Sequence, residues 1–123
     1  MLYVTNAFSD NMINWSEHPE ITSTTKVVDY DKISSLLIIR HRNDWKSIVG
    51  HADTARLLEA DLCHAVEIAT NRESITIDPA NDQLLIGQYI GPRLQEGTSE
   101  LPEGASIRWL LKYFFNPLHY GTG

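Results

Sequence analysis

The chain reads as a single small α/β domain, a mixed sheet of about five strands flanked by helices. Three observations predict this. Short apolar and β-branched stretches, one of them alternating with period two, recur in both halves of the sequence. Between them, Ala55, Leu58, Leu62 and Val66 are spaced by three and four, as on one face of a helix. The 123 residues are 42% hydrophobic and 21% charged, a globular composition long enough for one core and too short for two.

Taken in order, residues 2–5 are a short apolar run and read as the first strand. Asn6-Ala7-Phe8-Ser9-Asp10-Asn11 is dense in turn and capping residues, so the strand ends there. Ser9 or Asp10 is placed to cap a short helical turn reaching Trp15. Residues 16–23 read as a loop punctuated by Pro19, and the β-branched residues 24–30 as a second strand. Residues 31–40 begin with a capping aspartate, Asp31, and continue apolar, which predicts a helix; Leu36-Leu37-Ile38-Ile39 suits a strand equally well. After Gly50 comes the better helix, residues 51–66. Residues 74–77 read as a strand with Ile75 and Ile77 on one face, residues 78–82 as a turn, and residues 84–90 as a strong strand in which Gly87 marks a close backbone approach. Pro92 ends regular pairing. Residues 91–104 form a loop rich in Gly, Pro and Glu. Its two tetrads, Leu94-Gln95-Glu96-Gly97 and Leu101-Pro102-Glu103-Gly104, lie too close together for a repeat architecture. Residues 107–115 give the last strand and residues 116–123 a loose tail.

Charge narrows the function. A net charge of -6 repels long polyanions, so generic binding to duplex DNA or RNA is not expected, while a small anionic ligand held by a few local donors fits. Cys63 is the only cysteine, which rules out an intrachain disulfide and suits a reducing compartment such as the cytoplasm. Residues 1–6 lack a basic segment and a long apolar one, so no signal peptide is expected, and no apolar run is long enough to span a bilayer.

Polar groups at the ends of predicted elements mark four places: residues 6–11, Gly50-His51, Asn71-Arg72, and residues 88–97. His51 stands where a helix begins. The free N–H groups and dipole there suit a phosphate, and an imidazole beside a phosphate can protonate a leaving oxygen. The plainer alternative is a histidine that hydrogen-bonds the helix end. Arg93 and Glu96, three apart in a Gly/Pro loop, suit a phosphate clamp and a carboxylate that orients the imidazole or assists proton transfer; the alternative is an exposed ion pair, and Glu103 is an equally good glutamate by composition. Asn6, Ser9 and Asn11 offer neutral donors and acceptors for sugar and base edges, or ordinary caps and turns. Arg72 is a second cation or a solvated surface charge. Walker and dinucleotide loops, G-x-S-x-G and zinc-type Cys/His spacing are all missing from the sequence.

Together these places resemble a known family. L-Y-V-T-N-A-F-S-D-N-M over residues 2–12, I-V-G-H-A-D-T-A over residues 48–55, N-R-E over residues 71–73 and Q-Y-I-G-P-R-L-Q-E-G over residues 88–97 are similar to the viral type III anti-CRISPR ring nucleases and their cellular and prophage relatives. The likeness runs from Leu2 to about Phe115. It implies a homodimer that binds cyclic tetra-adenylate and cuts it without metal or cofactor. It implies that His51 is the general acid, that Arg93 and Glu96 are its partners, and that Asn6, Ser9, Asn11, Arg72, Ile75 and Gln88 contact the ligand. The choice of Glu96 over Glu103 comes from the R-L-x-E-G match. Gln95 departs from the pattern of many relatives, and Ile90-Gly91-Pro92 makes the approach to Arg93 about one residue longer than in some. The expected products are linear di-adenylates with 2′,3′-cyclic phosphate ends, and the expected role is to switch off a CRISPR second messenger in the cytoplasm, that of the host if the protein is viral. One rival is a non-cleaving sensor or sponge for the same ligand; the other is a structural protein in which the polar motifs only cap and turn.

Overall fold

The structure is a computed structural model in which residues 1–40, 44–95 and 97–115 are described. Five strands form one mixed sheet: β1 (Leu2–Thr5), β2 (Thr22–Val27), β3 (Trp45–Ser47), β4 (Gln83–Ile90) and β5 (Ser106–Phe115), in the order β2-β5-β4-β1-β3. β1 lies between β3 and β4 and runs parallel to both. β5 is antiparallel to β4 along its length and carries β2 at the sheet edge, also antiparallel. The expected α/β class holds, although one strand is exchanged for another. Residues 74–77 are not a strand. They do alternate, with Ile77 buried and Ile75 half-buried, but β1 already has a ladder partner on each side, and the segment is tied instead by the Ile77 N–H donating to the Met12 carbonyl at 2.7 Å. Alternation reports burial on one face, not a backbone partner. The strand in its place is β3, three residues too short and too polar to register as a pattern.

Strand alternation divides the core in two. Leu2, Val4, Leu85, Ile107, Trp109 and Leu111 pack on one face of the sheet with Ile33, Leu36, Leu37, Leu58 and Leu62 from the helical segments. Tyr3, Leu84, Ile86, Leu110 and Phe114 face the other side, where Ile13, Ile21, Ile75 and Ile77 cover them without a long helix. Helix α1 (Tyr30–Ser34) starts one residue before expected. Asp29, not Asp31, is its cap, accepting from the Lys32 N–H at 2.8 Å, and the predicted strand before it stops at Val27. At the Ser34-Ser35 pair α1 widens into a π-helical stretch over Ser35–Arg40, which settles the helix-or-strand choice for these residues in favour of helix.

Helix α2 (Ala52–Asp61) ends earlier than its apolar period suggests. Cys63 and His64 both take left-handed backbone conformations, at φ 54° and 57°, and the His64 N–H closes the end on the Glu59 carbonyl at 2.8 Å. This stop lacks the usual glycine. Tertiary bonds hold it: the buried Glu59 carboxylate accepts from the Ile68 N–H at 2.7 Å and from Arg56 at 2.9 Å, and Arg56 also donates to the Ile68 carbonyl at 2.6 Å. The chain is thereby turned back toward β3, where Val49 and Thr70 form a parallel bridge. Among the described residues no helix is long and apolar enough to cross a membrane. The tail expected over residues 116–123 lies outside the described residues.

Candidate functional site

Three parallel strands, β1, β3 and β4, deliver their carboxyl ends to one edge of the sheet. In open α/β sheets that edge is where loops can gather functional groups, because the strands fix where each loop departs. Asn6 follows β1 directly. Residues 48–51 lead from β3 to α2, and Gln88 stands near the end of β4.

Two cavities flank the first turn of α2. One, of about 280 Å³, is lined by Asn6, Thr54, Gln88, Tyr89 and Leu94 above an apolar floor. So Asn6 and Gln88, far apart in sequence, are brought together. The Gln88 side-chain oxygen accepts from Arg108 Nη2 at 2.6 Å and Nε at 3.1 Å across the β4–β5 ladder, which fixes the amide plane. The second cavity, of about 360 Å³ and widely open, is lined by Ile48, Gly50, His51, Asn71, Arg72 and Glu73. This joins two more of the predicted residues, His51 and Arg72.

His51 is the N-cap of α2, but its side chain makes no capping hydrogen bond, and the residue is exposed. The simple capping alternative therefore does not hold: the imidazole sits at the start of the helix without bonding to its end. Asp53, in the first turn, brings a negative charge to the same helix end, and Arg72 a positive one close by. Arg72 donates from Nε to the Gly50 carbonyl at 3.0 Å. On the far side of Arg72, Glu73 pairs with Lys46 at 2.6 Å. The lysine hydrogen bond and then its charge hold the Glu73 carboxyl below its ordinary range, and the same bond raises Lys46.

The remaining predicted residues fall into four groups. Arg93 is exposed, in the loop that leaves the carboxyl end of β4 just after Pro92, whose carbonyl accepts from the Tyr89 hydroxyl at 2.5 Å. Glu96 lies outside the described residues. Ser9 caps a single helical turn over Asp10–Met12, its hydroxyl accepting from the Asn11 N–H at 3.3 Å; Asn11 is exposed on that turn. Ile75 packs against the apolar cluster of Ile13, Ile77, Leu84 and Ile86, on the sheet face away from the helices, and lines neither cavity beside α2. Sequence reasoning missed Thr54, although it stands three residues after His51 and lines the cavity with Asn6 and Gln88, and Arg108, visible only once the register sets it opposite Gln88.

The fold and these cavities define a small α/β domain with a polar recess at the carboxyl ends of its parallel strands. The chain belongs to the STIV B116-like family, whose profile matches residues 2–105. Its structure is similar to that of B116 of Sulfolobus turreted icosahedral virus, with 27% identity and a TM-score of 0.68 over 91% of this chain and 97% of that one. No curated protein matches the chain.

Proposed function

We propose that this protein is a ring nuclease that opens cyclic tetra-adenylate without a metal ion, acting as a homodimer in the cytoplasm and so ending a second-messenger signal. The observation that carries the reading is the imidazole of His51, which makes no capping bond, on an exposed residue that stands at the N-terminus of a ten-residue helix and shares a cavity with Arg72. The motif resemblance across residues 2–97 supports it.

RNA supplies its own nucleophile. A ribose 2′-hydroxyl held in line with the adjacent phosphorus attacks it; the P–O5′ bond breaks, and a 2′,3′-cyclic phosphate forms. What the protein must add is geometry, charge stabilisation and a proton for the departing 5′-oxygen. Holding the reacting groups in line is worth several kcal/mol, with a ceiling of about 7–11. His51 is the general acid, a contribution of about 10²- to 10⁴-fold. Arg93 steadies the phosphorane charge, worth about 3 kcal/mol by analogy with a single oxyanion donor, and Glu96 orients the imidazole. Asn6, Ser9, Asn11, Arg72 and Gln88 hold sugar, base and phosphate groups. A two-fold dimer offers two copies of this set to a ring of four equal nucleotides, so opposed cuts release two di-adenylates.

Chromatography of products from cyclic tri-, tetra- and hexa-adenylate tests the reading. The expected result is di-adenylate with cyclic phosphate ends from the tetramer, formed equally fast in excess EDTA. Capture of intact ring over hours would make the protein a sponge instead. Loss of cleavage in EDTA, restored by added metal, would rule out the metal-free scheme.

A further inference from the structure

We infer that Arg72 is a positioning residue for His51 and that Asn71 anchors the arm carrying it, an inference that rests on the ring-nuclease reading above. The hydrogen bonds run in series from the sheet to the histidine. Asn71 is fixed twice to the exit of β3: its N–H donates to the Val49 carbonyl at 2.8 Å and its Nδ2 to the Ser47 carbonyl at 3.1 Å. Ser47 grips the same arm one step earlier, its hydroxyl donating to the Ala69 carbonyl at 2.6 Å. The Asn71 side-chain oxygen accepts from the Glu73 N–H at 2.9 Å, so the arm is folded rigidly around this one side chain.

From that arm Arg72 donates Nε–H to the Gly50 carbonyl at 3.0 Å. This carbonyl belongs to the peptide unit that leads into His51. The guanidinium therefore fixes the plane from which the His51 Cα departs. That restraint matters because the His51 side chain makes no bond to the helix end and the residue before it is a glycine. A guanidinium serving affinity alone needs only its charge and its terminal nitrogens. The side-on Nε donor is what a lysine cannot reproduce, and a general acid displaced by about 1 Å loses on the order of 10²-fold in rate.

The test compares Arg72→Lys, Asn71→Ala and Lys46→Ala with the wild type, by cleavage of cyclic tetra-adenylate and by NMR relaxation of the Gly50 and His51 amides. Arg72→Lys keeps the cation and loses the Nε donor. It is expected to lower kcat at least about 10-fold while KM changes less than about threefold, and to take the two amide order parameters from about 0.85 toward 0.6. Asn71→Ala is expected to do the same without altering any charge. Lys46→Ala breaks only the exposed ion pair at the far end of the arm and is expected to move neither readout. A rise in KM with kcat intact, or order parameters unchanged in both arm variants, overturns the positioning role. If the wild-type protein does not cut the ring, the ring-nuclease reading falls by itself, and the order parameters alone decide whether the arm holds His51.

Discussion

His51 is exposed and lacks a capping bond, so its loss leaves no buried partner unsatisfied. His51→Ala is accordingly expected to fold and bind as the wild type does and to lose at least about 10²-fold in single-turnover cleavage; an unchanged rate would remove the imidazole from the mechanism. Two glycines near the site make a contrast at the same scale. A Cβ at Gly87 would lie 2.6 Å from Leu58 Cδ2 and 3.0 Å from two ring carbons of Trp109, all in the packed core between β4 and α2. A Cβ at Gly50 would meet only Arg72 Cγ, at 3.9 Å, and Gly50 does not need a left-handed backbone. Gly87→Ala is expected to cost about 1–3 kcal/mol through overpacking and Gly50→Ala to be close to neutral. Urea denaturation checks both, and equal effects would contradict the packing argument.

Elements here are held at their ends more than along their lengths. Asp29 caps α1, Glu59 stops α2 by capturing Ile68, and Asp78 organises the turn before β4. That turn gives a pH dependence of known sign. The Asn81 side-chain amide, at 2.7 Å, and next the Ala80 N–H, at 3.1 Å, hold the Asp78 carboxyl below its ordinary value. In the folded state it binds a proton less readily than in the unfolded chain. The stabilisation is therefore full above the ordinary aspartate value of about 4 and is lost as pH falls through the lower folded value. Between about pH 5 and 2.5 the wild type is expected to lose more stability than Asp78→Asn; parallel curves would show that the turn carries no such linkage.

At the scale of the molecule, one sheet face is covered by helices and the other by loops and an extended segment, and three parallel strands open onto a single polar edge. One protomer presents one set of site residues, whereas the proposed ring has two-fold symmetric halves. Sedimentation is expected to give a dimer at micromolar concentration, and cleavage per protomer is expected to fall on dilution below the dimer dissociation constant. A fully active monomer would sink the two-fold arrangement.

The sequence alone determined the α/β class, the strands nearest its two ends, a capped turn at Ser9 or Asp10 and the tight approach at Gly87, because apolar and β-branched runs, cap chemistry and the missing Cβ are local properties of neighbouring residues. Motif likeness also named His51, Arg72, Asn6 and Gln88. It did not pair them. That His51 shares a cavity with Arg72, and Asn6 with Gln88, was decided by parallel pairing of β1 with both β3 and β4, a long-range choice without a local signature. The same holds for the exchange of residues 74–77 for β3 and for the early stop of α2. Burial of Ile75 and Ile77 left their alternation intact without a ladder, and a buried carboxylate nine residues from its backbone partner ended a helix that its own apolar period would have continued.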